Sequence, residues 1–178
     1  GPKRMEALFG PGADGARGRV PLVAAEWARE LEHKADVWTT GKGRLTKTIR
    51  VCIGTTDVHE HGKYLVERAL DGLGATLTDA GVAIDPETLV DRAVEAGADA
   101  IAISTYNGVA LSYTKAVLAA MNARGLVVPV LVGGRLNEVP KDSNSGLPAD
   151  VTEDIRALEC KPCASLDDML EALREVGG

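Results

Sequence analysis

The sequence predicts an α/β fold in which helices cover both faces of a doubly wound, parallel sheet of five strands. Two observations carry this prediction. Short apolar runs rich in β-branched residues alternate with helical segments, and several of those segments end at a glycine: Gly74, Gly97 and Gly125. The central run, 98–104, is apolar almost without interruption, as expected of a strand that is buried on both sides. Right-handed crossovers then connect the strands.

The individual elements follow from local signals. The first strand, 49–53, stops at Gly54, and Asp85 before Pro86 is typical of a helix N-cap followed by proline in the first turn. Ser165 is the expected cap of the last helix. The remaining predicted elements, in chain order, are a helix ending at Gly74, a weak strand 75–78, a helix 86–97, the strand 98–104, a helix 110–124, a strand 127–132, a polar loop 135–149, a short helix near 151–158 and a weak strand around Cys160.

Three segments differ in composition. Residues 1–20, which begin with the Gly-Pro pair typical of a protease-cleavage scar, predict a flexible tail because glycine and proline interrupt any apolar face. Residues 21–47 predict an amphipathic helix and a polar connection, so that the sheet domain occupies residues 48–178. The helix holds both tryptophans, which predicts either packing onto the domain or contact with a partner.

Composition excludes several function classes. The chain has 178 residues, of which 45% are hydrophobic, and this suits one domain with a real core. A net charge of −6 without a basic run argues against nucleic acid as a partner. No apolar stretch reaches the ~18–20 residues of a membrane span, and three cysteines are too few for a disulfide framework, so we expect a cytoplasmic protein without a membrane partner.

Candidate ligand-binding residues follow three of the predicted strands. Ligands of open α/β sheets bind beyond the carboxyl ends of the strands, and residues 55–62, 104–108 and 133–137 occupy these positions. In the first loop Asp57 precedes His59 by two residues, so the carboxylate can orient an imidazole whose other nitrogen binds a metal. Taken alone, such a pair is more often a hydrogen-bonded surface pair.

The ordered set of loops resembles the cobalamin-binding domain of adenosylcobalamin-dependent mutases. The family motif D-x-H-x-x-G corresponds to Asp57, His59 and Gly62, a serine loop to 104–108, and a Gly-Gly loop to 133–137. The small subunit of glutamate mutase looks nearest, followed by the C-terminal domain of methylmalonyl-CoA mutase. The resemblance implies a flavodoxin-like, Rossmann-like fold with an N-terminal helical extension.

What the resemblance implies for the site is base-off/His-on binding of adenosylcobalamin. His59 would be the lower cobalt ligand and therefore the metal-binding residue, Asp57 would orient it, and the displaced nucleotide tail would lie along the sheet. Ser104 would bond the buried base. The full set of implied cofactor-binding residues is Thr56, Asp57, Val58, His59, Glu60, Gly62, Ser104, Thr105, Tyr106, Gly133, Gly134, Arg135, Leu136 and Asn137.

The sequence departs from the family pattern at a few positions. Tyr106 stands where leucine is usual in the family. Ile53 stands where methylmalonyl-CoA mutases carry a lysine, and this favours a resemblance to glutamate mutase over one to methylmalonyl-CoA mutase. Residues 161–165 replace the Pro-Gly-Thr turn beside the nucleotide tail.

By resemblance, the chain carries adenosylcobalamin for a radical mutase (an isomerase), is inactive alone, and presents the cofactor to a larger catalytic TIM-barrel subunit or domain. The alternative is a corrinoid methyl carrier of a methyltransferase, which shares the motif but places a helical bundle before the cobalamin domain. A third hypothesis is a thiol-redox or metal module built on Cys160 and Cys163. These cysteines have the spacing of a redox pair, but they occur at an unusual position in the chain.

Overall fold

The computed structural model describes residues 22–57, 61–140 and 147–176; for residues 22–28, Leu31 and 61–65 it describes the backbone. The elements in chain order are α1 (Leu22–Thr39), β1 (Arg50–Thr55), α2 (His61–Asp71), β2 (Thr76–Gly81), α3 (Pro86–Ala96), β3 (Ala100–Thr105), α4 (Ala110–Arg124), β4 (Val130–Gly134), β5 (Asn137–Glu138), β6 (Ala149–Asp150), α5 (Thr152–Ala157), β7 (Lys161–Cys163) and α6 (Leu166–Val176). The tail predicted for residues 1–20 lies outside the described residues.

Five strands form one parallel sheet in the order β2-β1-β3-β4-β7. This confirms the predicted flavodoxin-like fold, because the chain starts in the middle of the sheet and reverses its direction of winding between β1 and β3. The point of reversal opens a crevice at the carboxyl ends of these strands. The loop after β4, predicted as irregular, holds a small antiparallel pair formed by β5 and β6.

Helices cover both faces of the sheet. Helices α3, α4 and α5 supply one apolar cluster, and helices α2 and α6 supply the other. Strand β3 shows how the sequence divides the two faces, since Ile101 and Ile103 point into the first cluster while Ala100 and Ala102 point into the second. The second face therefore has smaller side chains at its centre, and a cavity lies there.

The local signals read from the sequence are confirmed at the helix ends. Asp85 accepts a hydrogen bond from the backbone N–H of Thr88 at 2.9 Å, and Gly97 ends α3 in the left-handed conformation with φ +62°. The fourth strand is shifted from its predicted bounds. Val127 is 93% exposed and precedes the strand, whereas Gly133 and Gly134 belong to it because they continue the ladder with β3.

Helix α1 packs against α2 on the same side of the sheet as the cavity. Ala35 is fully buried there, and the indole N–H of Trp38 donates to Asp167 of α6 at 3.0 Å. The ammonium of Lys42 lies 4.5 Å from the centre of the Trp38 ring. Trp38 thus packs onto the domain, while the side chain of Trp27 lies outside the described residues. No helix in the described ranges is long and apolar enough to cross a membrane.

Candidate functional site

A cavity of about 240 Å³ opens at the carboxyl ends of β3 and β4, on the face covered by α2 and α6. Four of the predicted site residues line it, which are Ser104, Tyr106, Gly133 and Gly134. The other lining residues are Ile53, Val66, Ala102, Ile103, Leu131, Cys163, Ala164, Ser165, Leu166 and Met169. Pockets for whole drug-sized ligands run to roughly 300–1,000 Å³, so this cavity suits a part of a larger molecule.

The floor of the cavity consists of two rows of side chains across the sheet. The outer row, at the carboxyl ends, is Ser104, Gly133 and Cys163, which lie side by side in the strand register. The inner row lies one step deeper and is Ile53, Ala102 and Leu131. The two rows arise because every second residue of a strand points to the same face of the sheet. Residues 102 and 104 therefore share one face, as do residues 131 and 133.

The far wall comes from the start of α6. Ser165 caps this helix by accepting a hydrogen bond from the N–H of Asp168 at 3.1 Å, and the Asp168 carboxylate accepts one from Ala164 N–H at 2.9 Å. These paired bonds fix the turn that brings Leu166 and Met169 to the cavity. Residues 161–165, which depart from the family pattern, therefore still complete this wall.

Asp57 is attached to the loop after β3. One of its carboxylate oxygens accepts a hydrogen bond from the backbone N–H of Tyr106 at 3.1 Å. The neighbouring Thr56 donates its hydroxyl to Asn107 Oδ1 at 2.8 Å, and its N–H donates to Ser104 O at 3.0 Å. These hydrogen bonds connect the loop after β1 to the loop after β3, and they hold the Asp57 carboxylate beside the cavity mouth.

The loop after β4 is tied to the same region. The Glu138 carboxylate accepts from the N–H groups of Leu111 and Ser112 at 3.1 and 3.2 Å, and so caps the start of α4. Val139 N–H donates to Gly108 O at 2.9 Å. Beside these contacts, Asn137 Oδ1 is buried and has no hydrogen-bond partner within the described ranges. A buried amide oxygen of this kind is costly unless a partner arrives.

The structure separates the predicted site residues into groups. Thr56 and Asp57 lie in the loop after β1. Thr105 is the last residue of β3, and its hydroxyl is fully buried 2.9 Å from that of Thr56. Leu136 packs against the apolar cluster of the other face, and Arg135 is exposed. Gly62 lies in the first turn of α2, whereas Val58, His59 and Glu60 lie outside the described residues.

Sequence reasoning missed the deeper part of the cavity. Ile53, Ala102 and Leu131 were assigned only to the strands, and Met169 only to the last helix. The signal for Ala102 and Leu131 was available, because these residues are reached by counting back two positions from Ser104 and from Gly133. No comparable signal exists for Met169, since its place depends on how α6 packs across the sheet.

The cysteines have the properties of core residues. Burial raises the pKa of Cys52 and of Cys160 to about 11, and that of Cys163 to about 12. Thiols with such pKa values stay protonated near neutral pH and are poor nucleophiles, which disfavours a redox role for the Cys160/Cys163 pair. Within the ranges that the structure describes, no cluster of three or more His, Cys, Asp or Glu residues could hold a metal ion.

Fold and cavity together define an α/β protein with a cavity at the carboxyl ends of its parallel strands, which is where proteins of this architecture bind their ligands. The comparison with protein families specifies the ligand. The model of the B12 binding domain matches residues 47–153, which is more than half of the chain. The chain belongs to the B12 binding domain family, and its domain is a cobalamin-binding domain.

Two solved structures are similar to this chain at low sequence identity. One is a novel cobalamin-binding protein from Desulfitobacterium hafniense DCB-2, with a TM-score of 0.58 and 17% identity over 85% of this chain and 68% of that one. Another is the methanol:cobalamin methyltransferase complex MtaBC from Methanosarcina barkeri, with a TM-score of 0.48 and 17% identity over 92% of this chain and 65% of that one. The chain thus spans about two thirds of the length of each.

Proposed function

We propose that this chain is the cobalamin-binding subunit or domain of an adenosylcobalamin-dependent carbon-skeleton mutase. It binds the cofactor base-off/His-on, with the nucleotide tail in the cavity and with His59 as the lower cobalt ligand. The observation that carries the proposal is the position of the cavity. It opens between Ser104 and Gly133, the residues of the family loops, and beside the held Asp57 carboxylate.

The residues present fit a nucleotide tail. Gly133 leaves the outer row open, and a Cβ placed there would point into this space with Cys163 O, 3.4 Å away, as its nearest neighbour. The Ser104 hydroxyl lies in the same row and can bond a polar atom of the tail. In β5, after the Gly-Gly loop, Asn137 Oδ1 is a buried acceptor without a partner among the described residues, and it suits one of the amide groups of a corrin.

Within this arrangement Asp57 is a positioning residue. Tyr106 N–H donates to one carboxylate oxygen, and we propose that the same carboxylate also accepts a hydrogen bond from the His59 ring. A ligating histidine that donates to a carboxylate is fixed in orientation and becomes a stronger ligand. The pairing of the loops by Thr56 and Asn107 keeps that carboxylate in place.

The mutase assignment rests on the loop sequences, which resemble the small subunit of glutamate mutase. When bound, adenosylcobalamin supplies a cobalt–carbon bond whose cleavage starts radical chemistry. Such chemistry must be shielded from water, and the ligand loops lie at one open end of the sheet. Tyr106 is 37% exposed there and Val139 is 41% exposed. A larger catalytic partner, by resemblance a TIM barrel, would cover this end.

The test combines this chain with the large catalytic subunit of a carbon-skeleton mutase. We expect size-exclusion chromatography to show an association that is tighter with adenosylcobalamin present, because cofactor and partner stabilise each other's binding reciprocally. We also expect no substrate turnover by this chain alone. Methyl transfer from methylcobalamin with no need for adenosylcobalamin would overturn the mutase assignment in favour of a corrinoid methyl carrier.

Asp57→Asn is expected to weaken cobalamin binding by roughly 10–100-fold, the usual cost of losing a partner of a metal ligand. Asparagine keeps an oxygen for Tyr106 N–H but loses the charge that polarises His59. Spectrophotometric titration of the apo-protein with cobalamin measures the effect. Asp71→Asn, at an exposed position at the end of α2, is the control. Equal affinities for the two variants would show that Asp57 does not act on the ligand.

A further inference from the structure

We propose that the cavity selects among corrinoids by their lower base, and that it accepts 5,6-dimethylbenzimidazole in preference to adenine. This inference rests on the proposed function, since it concerns the tail of the same cofactor. The selecting residues are those of the inner row together with Met169, none of which belongs to a family motif. The argument depends on which chemical groups the wall can offer to a base.

The polar side chains of the wall lie at its outer end. Among the described residues that line the cavity, none is charged and none carries an amide. Ser104 lies in the outer row, while Tyr106 and Ser165 lie in the loops beyond the strands. The Cys163 thiol also lies in the outer row, and it donates to Lys161 O at 3.5 Å. The cavity therefore has hydrogen-bonding side chains near its mouth.

Among the side chains that the structure describes, none in the deeper wall forms hydrogen bonds readily. Ile53, Ala102 and Leu131 form the inner row, each of them at least 98% buried, and Met169 of α6 faces the same space. Backbone groups add little, because β3 lies between β1 and β4 and is paired with both along its length. A group at this depth meets aliphatic carbon and a thioether, which accepts hydrogen bonds only weakly.

This division fixes which end of a nucleotide tail enters first. The phosphate and the ribose cannot lose their hydration against aliphatic side chains, so they stay near the polar mouth. The flat base occupies the inner end. Its six-membered ring, which is the part furthest from the ribose, then reaches the inner row and Met169.

The two bases differ at that ring. Dimethylbenzimidazole presents two methyl groups, which gain from contact with Ala102, Leu131 and Met169. Adenine presents an amine and ring nitrogens, which lose hydrogen bonds to water and find none in the inner row. A buried polar group without a partner weakens binding by roughly 10–100-fold, and we expect a preference of this size.

The experiment measures the dissociation constants of the whole chain for three corrinoids by titration: cobalamin, its adenine analogue pseudocobalamin, and cobinamide, which has no nucleotide tail. We expect cobalamin to bind roughly 10–100-fold more tightly than pseudocobalamin. Equal or tighter binding of pseudocobalamin, with cobinamide much weaker, would overturn the selectivity and leave the proposed function intact. Binding of none of the three would contradict the proposed function itself.

A paired substitution locates the selectivity. Met169→Gln supplies a donor and an acceptor at the inner end, and we expect it to narrow the preference for cobalamin by about 3–10-fold. Met121→Gln is the matched control, because Met121 is 5% exposed and Met169 is 6% exposed but Met121 lies in the cluster on the other face of the sheet. The ratio of the dissociation constants for pseudocobalamin and cobalamin decides the outcome. An unchanged ratio in Met169→Gln, or an equal change of the ratio in both variants, would show that the inner end of the cavity does not select the base.

Discussion

Gly133→Leu is expected to abolish tight binding of cobalamin while the unliganded domain keeps its fold. The backbone at Gly133 has no positive φ, and a Cβ would lie 3.4 Å from the nearest neighbouring atom, so the chain can carry a side chain there. That side chain fills the outer row between Ser104 and Cys163, where the tail must pass. Filling a fitted site costs about 1–3 kcal/mol per added group, so even Gly133→Ala should weaken binding roughly 10–100-fold.

Two controls separate this effect from a damaged fold. Cobinamide, which lacks the nucleotide tail, should bind Gly133→Leu about as well as it binds the wild type. Gly134→Ala should instead destabilise the domain itself, because φ is +99° and a Cβ would lie 2.2 Å from Thr105 O. Thermal unfolding without ligand measures the difference between the two variants. Full cobalamin affinity in Gly133→Leu would show that the tail does not enter the cavity.

The sequence was sufficient for the fold because its local signals agree with one another. The Asp85 cap and the glycine ends of α3 and α4 set the helix bounds, and the uninterrupted apolar run of β3 required a sheet covered on both faces. The ligand loops could be predicted for a topological reason. The carboxyl ends of parallel strands share one edge, so Asp57 bonds to Tyr106, and Gly133 lies beside Ser104, although these residues are far apart in the chain.

What the sequence did not reveal depends on packing between distant segments. Met169 lines the cavity because α6 packs on β7, the neighbour of β4, and Leu136 is absent from the lining because it packs against the apolar cluster of the other face. Neither direction is encoded in a local period. The predicted start of the fourth strand, at Val127, was wrong for a related reason. Valine is a residue type that favours strands, but Val127 is exposed and precedes the paired residues.

His59→Ala is expected to remove the histidine signature of bound cobalamin and to lower the affinity by more than the roughly 10–100-fold typical of losing only a ligand's partner. His59 lies outside the described residues, which stop before it at Asp57 and resume after it at His61. Two residues before it, Asp57 is bonded to Tyr106, and two residues after it α2 begins at His61.

The measurement is the electron paramagnetic resonance spectrum of the reduced, cobalt(II) form. A protein nitrogen bound to cobalt splits this spectrum, and the splitting changes when the protein is labelled with the heavy isotope of nitrogen. We expect this change in the wild type and in His61→Ala, and its loss in His59→Ala. His33→Ala, at an exposed site on α1, controls for the loss of an imidazole elsewhere. A label-dependent splitting that persists in His59→Ala would show that another residue binds the cobalt. It would also contradict the proposed role of Asp57, which is to orient His59.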